Sequence, residues 1–188
     1  MLKFYSLSST YLESGWAIHP LSGSLLKYSE SKVSSFRSNN IPDKVSSALA
    51  FCLDPYTLDP TPKTAVTVNL KADESLRNVY KRLTFLRQKN FYISALYAGI
   101  SRPLYYTSFE AMNAISRIFP DDRDSESCLQ RALTVAKISK EFKSHGVLFI
   151  GAHLPLKNMH AWIIENGIQP DKEDRQWINY LPLMALAY

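Results

Sequence analysis

Two cysteines and four histidines are the residues of this chain best suited to nucleophilic catalysis. Cys128 opens a segment whose leucines and alanines recur with helical spacing, which predicts a thiol in the first turn of a buried helix. Backbone N–H groups and the helix dipole favour negative charge at that end, and the thiolate is the nucleophilic form of cysteine. We expect a Ser or Glu side chain just before Cys128 to cap the helix, and the backbone N–H of Cys128 to donate to an oxyanion.

His160 is the histidine best placed to act on that thiol. It lies in an apolar stretch, Met159 to Glu165, that is typical of a β-strand. An imidazole on a strand can take the proton of a helix-borne thiol and later give it to a leaving amine. Trp162 shares the face of His160 by the two-residue alternation of strands, and it is placed to exclude water from the ring.

A candidate third residue follows from the hairpin that Asn166-Gly167 predicts after this strand. A two-residue turn there pairs Glu165 with Ile168. Continued pairing along the returning strand sets Asp171 diagonal to His160 on the same side of the sheet.

The same register places Glu173 directly opposite His160. Either carboxylate could accept a hydrogen bond from the imidazole Nδ1–H and fix its tautomer. We prefer Asp171, because a strand would hold it rigidly, whereas Glu173 and Asp174 are nearer an exposed, charged end. The sequence therefore predicts a catalytic triad of Cys128, His160 and Asp171.

The elements expected around these residues mix helices and strands, which predicts an α+β fold. Helices are predicted over residues 46–53, 73–89, 92–99, 108–118 and 128–138, and strands over 16–19, 24–28, 147–151 and 159–165. Three prolines between residues 55 and 62 predict an ordered loop or linker. We take this loop as the boundary between a segment 1–62 and a domain 63–188.

Composition and spacing argue against several other classes of protein. The net charge of +5 comes from scattered Lys and Arg, so a nucleic-acid partner is not expected. The sequence has no signal peptide and no long apolar run, which predicts a cytoplasmic protein without a membrane partner. Cys52 lies in an apolar run with no nearby histidine and is expected to be a buried structural thiol. The spacing of the ligand-type residues predicts no metal, and no Gly-rich phosphate loop indicates a cofactor.

Three stretches of the sequence carry a resemblance to a known family. They are Cys128-Leu-Gln-Arg-Ala-Leu, the run from Gly146 to Gly151, and the run from His160 to Gly167. Together they resemble the transglutaminase-like leader peptidase of lasso-peptide clusters, the B protein, over about residues 75–188. The resemblance implies Cys128 as nucleophile and His160 as base. The family's acid falls one residue beyond Asp171, so a one-residue gap is needed to match it.

The resemblance implies a papain-like or transglutaminase-like cysteine peptidase domain over 63–188. Residues 1–62 would form a small winged-helix-like recognition segment that accepts the leader of a precursor peptide as an added strand. The expected partners are that precursor and an ATP-dependent, asparagine-synthetase-like lasso cyclase. Two alternatives stay open: an acyltransferase or transglutaminase that uses the same triad, and a non-catalytic scaffold that binds the precursor for the cyclase.

Overall fold

A computed structural model describes residues 1–7, 16–18, 25–27, 41–53, 70–100, 102–120, 127–153, 158–171, 174 and 176–188. Its helices are α1 (Asp43–Leu53), α2 (Leu70–Lys89), α3 (Phe91–Ala98), α4 (Ser108–Ile118), α5 (Cys128–Ile138), α6 (Lys140–His145) and a 3₁₀ helix (Gln176–Asn179). Its strands are β1 (Lys3–Ser6), β2 (Trp16–Ile18), β3 (Leu25–Lys27), β4 (Gly146–His153), β5 (Asn158–Glu165) and β6 (Leu181–Ala187). This mixture of helices with an antiparallel sheet confirms the predicted α+β class.

The main sheet has four antiparallel strands in the order β1-β6-β4-β5. β6, the last of the described strands, therefore lies inside the sheet, between β1 and β4. On β5, His160 pairs with Gly151 of β4. The predicted strands near residues 16–28 are confirmed as a separate antiparallel pair, in which Trp16 lies opposite Lys27.

The main sheet separates two hydrophobic cores because its side chains alternate between faces. On β4, Leu148 and Ile150 join the core formed with helices α2 to α6. Val147 and Phe149 point the other way and pack with α1. Both faces of the sheet are thus covered, and this explains why β4 is a continuous apolar run.

The helices beside the candidate site begin and end where the sequence predicts. The predicted bounds of α4 and α5, 108–118 and 128–138, are confirmed. Thr107 caps α4 through a reciprocal capping box with Glu110, an arrangement worth about 1 kcal/mol. Glu165, the last residue of β5, accepts hydrogen bonds from the N–H and hydroxyl of Ser108, which fastens the sheet to the start of α4.

The turn after β5 forms as expected, but the returning strand does not. Asn166 and Gly167 have φ angles of 52° and 73°, and Glu165 and Ile168 exchange two hydrogen bonds of 2.9 Å. The next hydrogen-bonded pair would need an N–H from residue 170, which is a proline. Pairing therefore ends at this single bridge, and the predicted register beyond it is wrong.

Parts of the predicted segment 1–62 belong to the same structure as the rest of the chain. β1 pairs with β6, and Val45 and Leu49 of α1 pack beneath the main sheet. The proline-rich boundary lies outside the described residues, so the division at residue 62 stays a prediction. Within the described part of the chain, no helix has the length and apolar character needed to cross a membrane.

Candidate active site

Cys128 is the first residue of α5, as the sequence predicts. Ser127 occupies the N-cap position, but its side chain makes no capping hydrogen bond, so a cap by this serine is not formed. Ser125 and Glu126 lie outside the described residues. The first turn closes through the N–H of Arg131, which donates to the carbonyl of Ser127 at 2.9 Å. The thiol is therefore held at the helix end where the dipole favours an anion.

His160 lies on β5, the edge strand, and only 7% of its side chain is exposed. Its ring stacks on Trp162, with centroids 6.2 Å apart and planes inclined by 15°, so the predicted shared face is observed. Gly151, its partner on β4, is a glycine for a steric reason. A Cβ there would collide with the carbonyl oxygen of Leu181 and lie 2.7 Å from the indole of Trp162.

Asp174 is the carboxylate that contacts the imidazole. Its Oδ2 lies 2.6 Å from His160 Nε2, and only 14% of its side chain is exposed. A carboxylate on Nε2 keeps a proton on that nitrogen and fixes the plane of the ring. Nδ1 is buried and makes no well-aligned hydrogen bond. It is therefore the ring nitrogen available to the Cys128 thiol, a contact that often tightens only when substrate binds.

Asp171, the acid preferred from the sequence, lies elsewhere. Its Oδ2 accepts a hydrogen bond from Arg131 at 2.9 Å, so its carboxylate is directed towards α5. The contact that we expected from Asp171 is made by Asp174, on Nε2 rather than Nδ1. Pro170 is the physical reason, because it ends the strand pairing on which the expected register depends. Glu173, the other alternative, lies outside the described residues.

The electrostatics couple His160 to both of its candidate partners. Burial disfavours the imidazolium and by itself lowers the pKa of His160. The hydrogen bond to Asp174 and the interaction with the Cys128 thiol, together with the negative charges of both groups, outweigh burial and raise this pKa to about 9. The imidazole is therefore protonated near neutral pH.

Tyr180 is a part of the site that the sequence analysis did not identify. Its ring centroid lies 5.0 Å from that of His160 and 6.0 Å from that of His153. Burial raises the pKa of Tyr180, and the nearby charges of Cys128 and Asp174 raise it further. The sequence signal was available, because an aromatic residue directly precedes β6, but nothing local indicated that β6 lies next to β4.

Cys52 lies next to this aromatic group, yet in a different chemical setting. The indole N–H of Trp162 donates to Cys52 Sγ at 3.4 Å. Burial raises the pKa of the Cys52 thiol to about 12, and the indole hydrogen bond opposes this only in part. Cys52 is thus a protonated, packed thiol, in agreement with the structural role expected from the sequence.

The site is interpreted from its own geometry. Among the described residues, no group of three or more His, Cys, Asp or Glu is arranged to hold a metal ion. No protein-family model, no curated protein and no solved structure matches this chain. The arrangement of thiol, imidazole and carboxylate can perform nucleophilic acyl transfer, in which the thiolate attacks a carbonyl carbon and the imidazolium supplies a proton.

Proposed function

We propose that this protein is a cysteine endopeptidase that removes the leader from a ribosomally made lasso-peptide precursor, with Cys128 as nucleophile, His160 as acid and base, and Asp174 as the orienting carboxylate. The observation that carries the proposal is the 2.6 Å contact between Asp174 Oδ2 and His160 Nε2, on a histidine that is also coupled to Cys128. This order of thiol, imidazole and carboxylate is the one that a cysteine peptidase requires.

The chemistry proceeds in two balanced halves. In the first, the thiolate of Cys128 bonds to the scissile carbonyl carbon, and the carbon–nitrogen bond breaks as the imidazolium of His160 protonates the departing amine. The core peptide leaves with a free amino terminus, and the leader stays bound as a thioester. In the second half, His160 takes a proton from water and the hydroxide attacks the thioester. The carbon–sulfur bond breaks, which restores the thiolate and releases the leader as a carboxylic acid that loses its proton to solvent.

Three features of the surroundings support this role for His160. Asp174 holds the ring by Nε2, so rotation about the side-chain bonds is restricted. Trp162 stacks on the ring, and Tyr180 contacts it as well, so aromatic surface replaces much of the water. A cation beside aromatic faces is also favoured by about 0.5–2 kcal/mol, which helps to retain the imidazolium in a buried site.

The choice of a leader as the substrate rests on the resemblance of residues 75–188 to lasso-peptide leader peptidases. In that interpretation, the part of the chain before residue 62 binds the leader, and the freed core amine passes to an asparagine-synthetase-like cyclase. The short antiparallel pair of β2 and β3 is compatible with the addition of a leader strand.

Cleavage of a precursor tests the proposal directly. The purified protein is incubated with the precursor peptide encoded beside its gene, with and without the cyclase, and the products are weighed by mass spectrometry. We expect one cut between leader and core, with the masses of the two fragments adding up to the precursor plus one water. Cys128→Ala is the inactive variant and Cys52→Ala is its matched control, because both remove a thiol and leave a methyl side chain.

Two results would contradict the proposal. A leader joined to an added amine, rather than to water, would instead indicate an acyltransferase. Full production of the cyclised peptide by Cys128→Ala in the presence of the cyclase would indicate a non-catalytic scaffold.

A further inference from the structure

A charged pair joins the helix of the nucleophile to the segment that carries the orienting acid. Arg131 lies on α5 one turn after Cys128, and its Nη2 donates to Asp171 Oδ2 at 2.9 Å. Only 7% of the arginine side chain and 17% of the aspartate side chain are exposed. The same Nη2 donates to Ser116 Oγ on α4 at 2.8 Å, so the guanidinium connects α5 to α4 as well as to Asp171.

Asp171 is in turn tied to Asp174. The backbone N–H of Asp174 donates to the carbonyl of Asp171 at 3.2 Å, which joins the backbones of these two residues. A continuous route therefore runs from α5, through Arg131 and Asp171, to the carboxylate that contacts His160.

We propose that Arg131 and Asp171 are positioning residues, whose ion pair sets Asp174 against His160 in register with the Cys128 thiol. This inference rests on the proposed peptidase function. A buried ion pair is a weak source of net stability, because desolvation offsets much of the attraction between its charges. Its directional hydrogen bond, however, restricts where the Asp171 carboxylate lies, and a displacement of about 1 Å in an active site can lower a rate by about a hundredfold.

The competing interpretation is that this pair only stabilises the fold. A second pair provides the comparison, because Arg117 Nη2 on α4 donates to Asp73 Oδ1 on α2 at 2.8 Å. The two pairs have the same residue types and nearly the same length. Equal substitutions in each therefore remove an Arg–Asp bond, but only one of these bonds adjoins the triad.

The test measures thiol chemistry rather than peptide cleavage, so it is independent of the substrate. Iodoacetamide labelling of Cys128 is followed by mass spectrometry from about pH 5 to about pH 10, since the reagent reacts with the thiolate. The variant is Arg131→Met/Asp171→Leu, and the matched control is Arg117→Met/Asp73→Leu. Replacing both charges of a buried pair by apolar residues of similar volume is often tolerated, which favours a folded variant.

We expect the wild type and Arg117→Met/Asp73→Leu to share one labelling profile over this pH range. In Arg131→Met/Asp171→Leu, the labelling rate near neutral pH should fall by about tenfold, because a displaced Asp174 would no longer hold the imidazole that activates the Cys128 thiol. An unchanged profile in that variant overturns the positioning role and leaves the peptidase proposal intact. If wild-type Cys128 reacts no faster than N-acetylcysteine near neutral pH, His160 does not activate the Cys128 thiol. The peptidase proposal and the positioning role then both fail.

Two conservative variants keep the inference testable if the double variant does not fold. Arg131→Lys preserves the charge, and Asp171→Asn preserves the shape of the acceptor. A positioning role predicts graded shifts of the labelling profile in both, with Asp171→Asn shifted further because the charge is lost. A purely structural role predicts a lower Tm with an unchanged profile, and that result would overturn the proposal.

Discussion

The two cysteines of this protein occupy opposite ends of their helices. Cys128 is the first residue of α5, where the helix dipole is positive, whereas Cys52 is the penultimate residue of α1, where it is negative. Cys128 is coupled to a protonated imidazole, and Cys52 accepts a weak hydrogen bond from an indole. The same side chain is therefore placed to react in one setting and kept protonated in the other.

Trp162 lies between His160 and Cys52 and contacts both of them. One part of the indole stacks on His160, and its N–H points to the Cys52 sulfur. The comparison teaches that proximity to the site is not enough to activate a thiol. Cys52 lies near the candidate site but contacts the indole of Trp162, and within the described part of the chain no cation offsets its burial, so it stays protonated.

The largest difference between the two cysteines should appear when each is replaced. We expect Cys128→Ala to lower the rate of precursor cleavage by about a thousandfold or more, because the nucleophile is lost. Cys52→Ala should cleave within about threefold of the wild type, since this thiol touches no reacting group. Mass spectrometry of timed reactions gives both rates. Equal losses in the two variants would refute the distinction between the cysteines.

Removal of the Asp174 carboxylate should reduce the difference in reactivity between Cys128 and Cys52, because His160 would activate Cys128 less well. We expect Asp174→Ala to lower the cleavage rate by about 10²–10⁴-fold, since the ring of His160 would no longer be held by Nε2. Measured values of kcat and KM should place the loss in kcat, because Asp174 acts on the imidazole and not on the peptide. Asp174→Asn is the conservative control, because it can still accept from Nε2. A loss confined to KM would argue for a role in substrate binding instead.

The pH dependence follows from the pKa of His160, which rises from 6.5 to about 9 in the folded protein. Cleavage should fall by about tenfold per pH unit above about pH 9, because the imidazole can then no longer protonate the leaving amine. The same group contributes to stability below about pH 6.5, and this contribution is lost as the pH rises through about 9. Urea unfolding of the wild type and His160→Gln across this range checks the sign: the pH-dependent loss should be absent from the variant.

The smallest effect is expected at the inert cysteine. Cys52→Val removes the acceptor of the buried Trp162 N–H, so the free energy of unfolding should fall by about 1 kcal/mol. Cys52→Ser retains an acceptor and should lose less. Denaturant titrations give both values. If Cys52→Val were instead to abolish cleavage in a folded protein, Cys52 would belong to the site.

The sequence predicted the local elements around the site more closely than their long-range arrangement. The bounds of α4 and α5 were confirmed, because caps and apolar periodicity are encoded within a few residues. The pairing of β6 with both β1 and β4 was not predicted, since it depends on residues far apart in the chain. Its sequence, with Pro182 near the start, also gave no alternating pattern.

For the candidate site, the sequence predicted Cys128 and His160, and in the structure Cys128 contributes to the raised pKa of His160. The choice among the nearby acids depended on extending a strand register beyond Asn166-Gly167. The missing N–H of Pro170 removes the next ladder hydrogen bond of that register, and Asp174 rather than Asp171 contacts the ring. Pro170 is visible in the sequence, and its missing backbone N–H was enough to predict that the strand pairing ends there.

The position of β6 has a consequence for the order in which the sheet can assemble. β6 follows all the other described elements in the chain, but it fills the gap between β1 and β4. While residues 181–187 are still in the ribosome, both neighbouring strands lack a partner along one edge, and the carbonyl of Leu181 is not yet against Gly151. The four-stranded sheet that supports His160 therefore cannot form in full until residues 181–187 have been made, so the surroundings of the candidate site are incomplete before then.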